Sequence, residues 1–136
     1  MKKLLILASA LYLQAAFVQA EVVVIGNTSI TSTLSASEVK NLFLGKRKSL
    51  PDGTKIAVIE QAKDSPVREA FHSKFTKKTQ AQLSSYWTRL VFTGKGKMPE
   101  EVSNSEEIIN MISTNPGLIG YIDSSEVTDG IVVLAK

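Results

Sequence analysis

The stretch EVVVIGN, residues 21–27, is the first part of the chain that predicts a definite structure. Its run of β-branched residues from Val22 to Ile25 shows no polar alternation, which indicates a strand buried on both faces. Gly26 and Asn27 end the run and lead into a loop. The sequence therefore predicts a strand in the interior of a sheet at the start of this region.

Four amphipathic segments follow this strand and predict helices. The predicted starts are Ser35, Ser65 with Pro66, Thr79 or Gln80, and Asn104. Each start carries a residue that can accept a hydrogen bond from the first backbone N–H groups of a helix. The third segment has the clearest period, because Leu83, Tyr86, Trp87, Leu90 and Val91 fall on one helical face.

Three further apolar runs predict strands, at residues 56–59, 118–122 and 131–134. The order of strand, helix and strand from residue 22 to residue 59 indicates a right-handed parallel unit. The sequence thus predicts an α/β lobe of three layers, with a mostly parallel central sheet of about four to five strands flanked by helices.

Residues 1–20 have the pattern of a cleavable signal peptide. Lys2 and Lys3 precede an apolar run that extends to Phe17, and the small residue Ala20 ends the segment. The run is shorter than the roughly 20 residues that a membrane-spanning helix needs. We expect a periplasmic protein, with no membrane insertion after cleavage and with residues 21–136 as its single domain.

Composition excludes several classes of protein. The chain has no cysteine and one histidine, His72, so disulfides, thiolate ligands and a histidine-rich metal centre are excluded, and we predict no metal and no cofactor. The chain has 16 basic and 13 acidic residues, and two of the basic ones lie in the signal segment. The mature protein is then nearly neutral, which gives no reason to expect nucleic acid or anionic lipid as a partner. We expect His72 to lie at the surface or at its boundary.

Three phrases resemble phosphate ABC transporter substrate-binding proteins, especially small single-lobe relatives of the type II periplasmic binding proteins. They are LSASEVKNLFLGK at residues 34–46, WTRLVFTGKGKMP at residues 87–99 and NPGLIGYIDS at residues 115–124. Full-size members of this family hold an anion between two α/β lobes with helix N-termini, hydroxyls and an arginine. The resemblance implies that this chain corresponds to the second lobe and that its ligand is phosphate or another small oxyanion.

The segment before the second helix departs from the family pattern of an arginine followed by Ser-Gly-Thr. Alignment on Phe71 places Gln61, Ser65, Pro66 and Val67 at these four positions, so only the serine is kept. Proline has no N–H to offer and valine has no hydroxyl. We therefore expect weak binding at most.

The main candidate site is the start of the helix at Ser65, where unpaired N–H groups and the helix dipole attract an anion. Lys63 and Arg68 would add positive charge there. The alternative is that Ser65 is only a helix cap, that Asp64 fills the site, and that both basic side chains are solvated.

Thr28 and Ser29 form a second candidate site, because they follow the first strand and ligands of open α/β sheets lie beyond the carboxyl ends of strands. The alternative is an ordinary polar loop, since serine and threonine favour turns.

Three functions remain open on this basis. The first is a periplasmic accessory binding protein for phosphate or another small oxyanion. The second is an envelope protein–protein interaction module that has lost solute binding and docks onto a partner or onto itself. The third, an enzyme, is the least favoured, because His72 is the only histidine available as a base.

Overall fold

The computed structural model describes residues 21–136, so the predicted signal peptide at residues 1–20 lies outside the described residues. The elements in chain order are β1 (Val22–Asn27), α1 (Ala36–Phe43), β2 (Ala57–Gln61), α2 (Pro66–Lys74), α3 (Gln80–Phe92), β3 (Glu100–Val102), α4 (Ser105–Thr114), β4 (Leu118–Asp123), a 3-10 turn (Ser124–Glu126) and β5 (Ile131–Ala135). Within residues 21–136, none of these helices is both long enough and apolar enough to cross a lipid bilayer.

The five strands form one open sheet in the order β3-β2-β4-β1-β5. Strand β2 is parallel to β3 and β4, whereas β1 is antiparallel to both of its neighbours, β4 and β5. Helices α1 and α2 cover one face of the sheet and α4 covers the other. The predicted α/β class, with a mostly parallel sheet between helical layers, is confirmed.

The predicted parallel unit of the first two strands is wrong. Strand β4 lies between β1 and β2, and β1 runs against them both. A strand that is buried on both faces has the same apolar pattern in either direction, so its sequence does not specify its neighbours. The connection over residues 28–56 is long enough for β2 to pair elsewhere in the sheet.

Strand β3 was not predicted from the sequence. It is a three-residue edge strand that begins with two glutamates, Glu100 and Glu101, and only Val102 is buried. Short, charged strands are common at sheet edges, where they prevent further pairing, and they lack the apolar period that identifies interior strands.

Strand β4 passes through the middle of the core, and its alternate residues face the two helical layers. Ile119 and Tyr121 pack against α1 and α2, while Ile122 packs on the side of α4. Gly120 lies on the α4 side at a point of close approach. A Cβ atom on this residue would lie 3.0 to 3.1 Å from side-chain carbons of three isoleucines, Ile59, Ile108 and Ile112.

Replacing Gly120 with alanine is therefore expected to lower the free energy of unfolding by about 1–3 kcal/mol, because the added methyl group overpacks a filled interior. Gly130→Ala is the matched control, since its Cβ would meet only Ser113 Cβ at 3.7 Å. Urea unfolding of both variants measures the difference. Equal stability of the two would show that this face of the core is loosely packed.

Helix α3 lies at the periphery of the molecule. Leu83 and Trp87 are its buried residues, and Tyr86 donates a hydrogen bond from its hydroxyl to the carbonyl of Leu44. Val91, which was predicted on the same buried face, is 48% exposed, and Phe92 is 90% exposed. The predicted face is thus confirmed for the first half of the helix and wrong at Val91.

Candidate functional site

Ser65 caps α2, as its position before Pro66 predicts. Its Oγ accepts a hydrogen bond from the backbone N–H of Arg68 at 3.3 Å and donates one to Oε1 of Gln61 at 2.7 Å. Pro66 contributes no N–H at the first helical position. The hydroxyl that an anion would use is therefore already paired within the protein.

Gln61 ties this helix start to the rest of the sheet. Its Nε2 donates to the carbonyl of Tyr121 at 3.1 Å and to Oγ of Ser105 at 3.3 Å, at the start of α4. Its backbone N–H donates to the hydroxyl of Tyr121 at 3.1 Å. A neutral amide thus holds two helix starts together at the residue that the family resemblance assigns to an arginine.

Arg68 is buried beneath α2 rather than solvated or directed at the helix start. Its Nη1 donates to the carbonyl of Gln61 at 2.8 Å and to Oε1 of Glu101 at 3.2 Å. Its Nε lies 3.2 Å from Oε2 of Glu60, an ion pair without an aligned hydrogen bond. Two carboxylates neutralise the charge of this guanidinium, so it would attract a bound anion only weakly.

His72 is buried as well, and its predicted surface position is wrong. Its Nε2 lies 2.8 Å from Oε2 of Glu60, and its Nδ1 lies 2.8 Å from Oγ1 of Thr76. The four-residue spacing from Arg68 places both side chains on one face of α2, opposite Glu60 on the neighbouring strand β2. That spacing, together with a glutamate that directly follows the apolar run at residues 56–59, was the available signal for this buried network.

Tyr121 lies directly beside the network. Burial raises the pKa of Tyr121 well above its ordinary value, and the negative charge of Glu60 raises it further. The phenol is therefore protonated at every physiological pH. Its ring stacks on Phe71, with ring centroids 4.0 Å apart and an interplanar angle of 4°.

A hollow of about 540 Å³ opens beside α2, between this helix and the start of α3, and is called the first hollow below. Arg68 and His72 form part of its wall, and Lys63, Lys77 and Lys78 line it toward solvent. Glu69 is the acidic residue of its lining. Because Arg68 is balanced within the protein, the three lysines and Glu69 determine the charge that the first hollow presents.

Thr28 and Ser29 follow the C-terminal end of β1, which lies opposite the C-terminal end of β2 near Ser65, because β1 is antiparallel to β2 and β4. Both residues are exposed, and the Ser29 N–H donates to Oδ1 of Asn27 at 3.0 Å. The Asn27 side chain in turn donates to the last carbonyls of α4, including that of Ile112 at 2.9 Å. The C-terminus of a helix carries partial negative charge, which disfavours an anion at this end of β1.

The structure thus brings Lys63 and Arg68 to one hollow with Ser65 close by, and it separates Thr28 and Ser29 from them. Sequence reasoning missed Lys77 and Lys78, which enter the hollow from the turn between α2 and α3. Within residues 21–136, no group of three histidine, aspartate or glutamate side chains is placed to hold a metal ion.

Several solved structures of phosphate receptors share this fold. An ABC-type phosphate transport receptor from Vibrio cholerae superposes with a TM-score of 0.67 at 15% identity, covering 83% of this chain and 44% of the receptor. A phosphate ABC transporter substrate-binding protein with bound phosphate from Clostridium perfringens gives a TM-score of 0.66 at 19% identity, over 83% of this chain and 43% of that one. PstS from Borrelia burgdorferi gives a TM-score of 0.53 at 16% identity, covering 84% of this chain and 46% of PstS.

No protein-family model matches the sequence, and no curated protein matches it either. The chain spans less than half of the length of the receptors that it resembles in structure. The resemblance that the three sequence phrases indicated is therefore confirmed in the fold, which is that of one part of the phosphate ABC transporter substrate-binding proteins.

Proposed function

We propose that this protein is a periplasmic accessory protein that binds phosphate or another small oxyanion weakly, at the first hollow. The observation that supports this proposal is the charge of the hollow, where Lys63, Lys77 and Lys78 face solvent against Glu69. Lysine is a common phosphate ligand and acts as a point charge, so it needs no fixed fork geometry. The fold shared with phosphate receptors supports the same class of ligand.

Binding at this place is expected to be weak for structural reasons. The Ser65 hydroxyl is paired with Gln61, and the Arg68 guanidinium is paired with two carboxylates. The hollow is open to water, which screens the attraction between lysine and an anion. We expect a dissociation constant on the order of 1 mM, about 4 kcal/mol of binding free energy.

Export is part of this proposal, because the pattern of residues 1–20 is that of a cleavable signal peptide. Mass spectrometry of the protein recovered from a periplasmic extract should give a chain that begins at Glu21. Recovery of the uncut chain in the cytosolic fraction would contradict the proposed compartment.

Calorimetry with sodium phosphate and sodium sulfate tests the binding proposal. Replacing Lys63 with glutamine should weaken phosphate binding by about threefold to tenfold, because one of the three solvent-facing cations is lost. Lys55→Gln is the matched control, since Lys55 lies beside Gly117 at the other end of β2 and should leave binding unchanged. Absence of heat at millimolar phosphate, or an equal loss in both variants, would reject this site.

The second function, an interaction module, also has a specific observation in its favour. Phe92 at the end of α3 is 90% exposed, and Met98 in the following loop is 46% exposed. Large exposed apolar side chains favour contact with another surface. If the protein associates with itself through this part of α3, sedimentation should show a dimer that Phe92→Ser abolishes, and a monomer at every concentration would exclude it.

A further inference from the structure

A second hollow, distinct from the first, lies between the C-terminal part of α1 and the exposed side of α3. Its volume is about 770 Å³, and it is called the basic groove below. Five cationic side chains line it, and its lining contains no acidic residue. They are Lys40, Lys46, Lys77, Lys78 and Arg89.

These five cations are not neutralised by the protein itself. Among residues 21–136, Arg68 forms ion pairs with Glu60 and Glu101, and His72 contacts Glu60. None of these contacts involves a residue of the basic groove. Five like charges around one hollow repel one another and favour a bound anion. The concentration of positive charge is local, since the chain as a whole carries only a small excess of basic residues.

The backbone holds two of the cations at the turn between α2 and α3. Lys77 has a φ of 59°, and its N–H donates to the carbonyl of His72 at 2.7 Å, which closes the end of α2. A left-handed residue at this place in a helix end is usually glycine, because a side chain is strained there. A lysine is present here instead, and its charge lies at the groove.

Aromatic contacts hold the other side of the groove in place. The Nζ of Lys78 lies 5.3 Å from the ring centroid of Tyr86, a cation–π contact, and the Tyr86 hydroxyl is hydrogen-bonded to the carbonyl of Leu44. Arg89 on α3, Lys78 in the turn before α3 and Lys46 in the loop after α1 thereby line the same hollow.

We propose that the basic groove binds a ligand that carries several phosphate groups, such as a soluble phosphate chain or the phosphate surface of an anionic lipid layer. The hollow, at about 770 Å³, is much larger than one phosphate ion, whereas a ligand with repeated charges engages several of its five cations at once. Lys77 and Lys78 line both hollows, whereas Lys40, Lys46 and Arg89 line the basic groove and not the first hollow, so variants of these three residues test this proposal separately from the proposed function.

The test is binding of long-chain inorganic polyphosphate to the protein, measured by fluorescence anisotropy at increasing salt. The double variant Lys46→Gln/Arg89→Gln should bind about tenfold or more weakly, and its plot of log affinity against log salt should be shallower by about 2. The matched control Lys48→Gln/Lys55→Gln removes the same charge from a hollow beside Gly117 and should bind nearly as the original protein does.

Lys77→Gly separates binding from folding. This variant removes one charge of the groove and relieves the left-handed strain, so its Tm should be unchanged or higher while its affinity for polyphosphate falls severalfold. Reduced affinity without reduced stability supports a direct contact with the ligand.

Vesicles of phosphatidylglycerol and of phosphatidylcholine distinguish the source of the phosphate groups. Binding of polyphosphate but not of vesicles assigns a soluble ligand, and binding of phosphatidylglycerol vesicles that is lost in the groove variant assigns a lipid surface. If neither is bound at low salt, or if the groove and control variants lose affinity equally, the proposal is wrong. Lys63→Gln should weaken binding of single phosphate ions and leave polyphosphate binding nearly intact, so the two proposals fail separately.

Discussion

Replacing Phe71 with alanine is expected to lower the free energy of unfolding by about 3–5 kcal/mol. The Phe71 side chain is completely buried between α2 and the sheet. Its ring stacks on Tyr121 and lies 4.5 Å from the ring of Phe43 and 5.1 Å from that of Phe75, centroid to centroid. Truncation would leave a cavity among three aromatic rings that cannot collapse without moving α2. Urea unfolding followed by circular dichroism measures the loss.

Phe92→Ala provides the matched control for this prediction, because it makes the same substitution at a side chain that is 90% exposed. Its effect should stay within about 0.5 kcal/mol. A loss of less than about 2 kcal/mol for Phe71→Ala would mean that the aromatic cluster does not hold α2 to the sheet.

Replacing Glu60 with alanine is the second change with a large expected effect, again about 3–5 kcal/mol. Glu60 is 4% exposed and is the carboxylate shared by Arg68 and His72. Its removal leaves a guanidinium buried with one half-exposed partner and leaves a histidine nitrogen without its acceptor. An unpaired buried polar group keeps the full penalty of having lost its water, which its hydrogen-bond partner otherwise offsets.

Glu101→Ala is the comparison for this network. The Glu101 side chain is 38% exposed and contacts the same guanidinium at 3.2 Å, so solvent screens its contribution. The expected loss is below about 1 kcal/mol. Thermal and urea unfolding measure the loss of stability in the two variants. An equal loss in both would mean that the burial of Glu60 does not increase its contribution to stability.

The helices could be predicted because their N-terminal ends are specified by residues close together in the sequence. Ser35 and Thr79 each form a capping box with the residue three positions later, and both boxes are present in the structure. Such signals depend on atoms that are close in the chain, so a single sequence contains them in full.

Strand order and the partners of buried charges could not be predicted in the same way. Strand β1 pairs with residues about 100 positions later, and its apolar run contains no feature that specifies those partners. The contact of His72 with Glu60 requires knowing that α2 packs on β2 with this face inward, which is a tertiary property.

The candidate site was predicted in part. Lys63 and Arg68 were selected for their charge near a helix start, and the structure places both at the first hollow, although Arg68 is balanced by carboxylates. The basic groove was not predicted, because the near-neutral composition conceals five cations that come from two separate segments. Average charge describes the whole surface, whereas a ligand responds to local potential.

The position of β1 has a consequence for biosynthesis. Among the strands that the structure describes, β1 at residues 22–27 comes first in the chain, and its partners are the strands at residues 118–123 and 131–135. Contacts between distant residues form slowly, and β1 cannot pair with β4 until residues 118–123 have been synthesised, or with β5 until residues 131–135 have been. The middle of the sheet therefore forms only after residues 118–123 have been made, well after its first described strand.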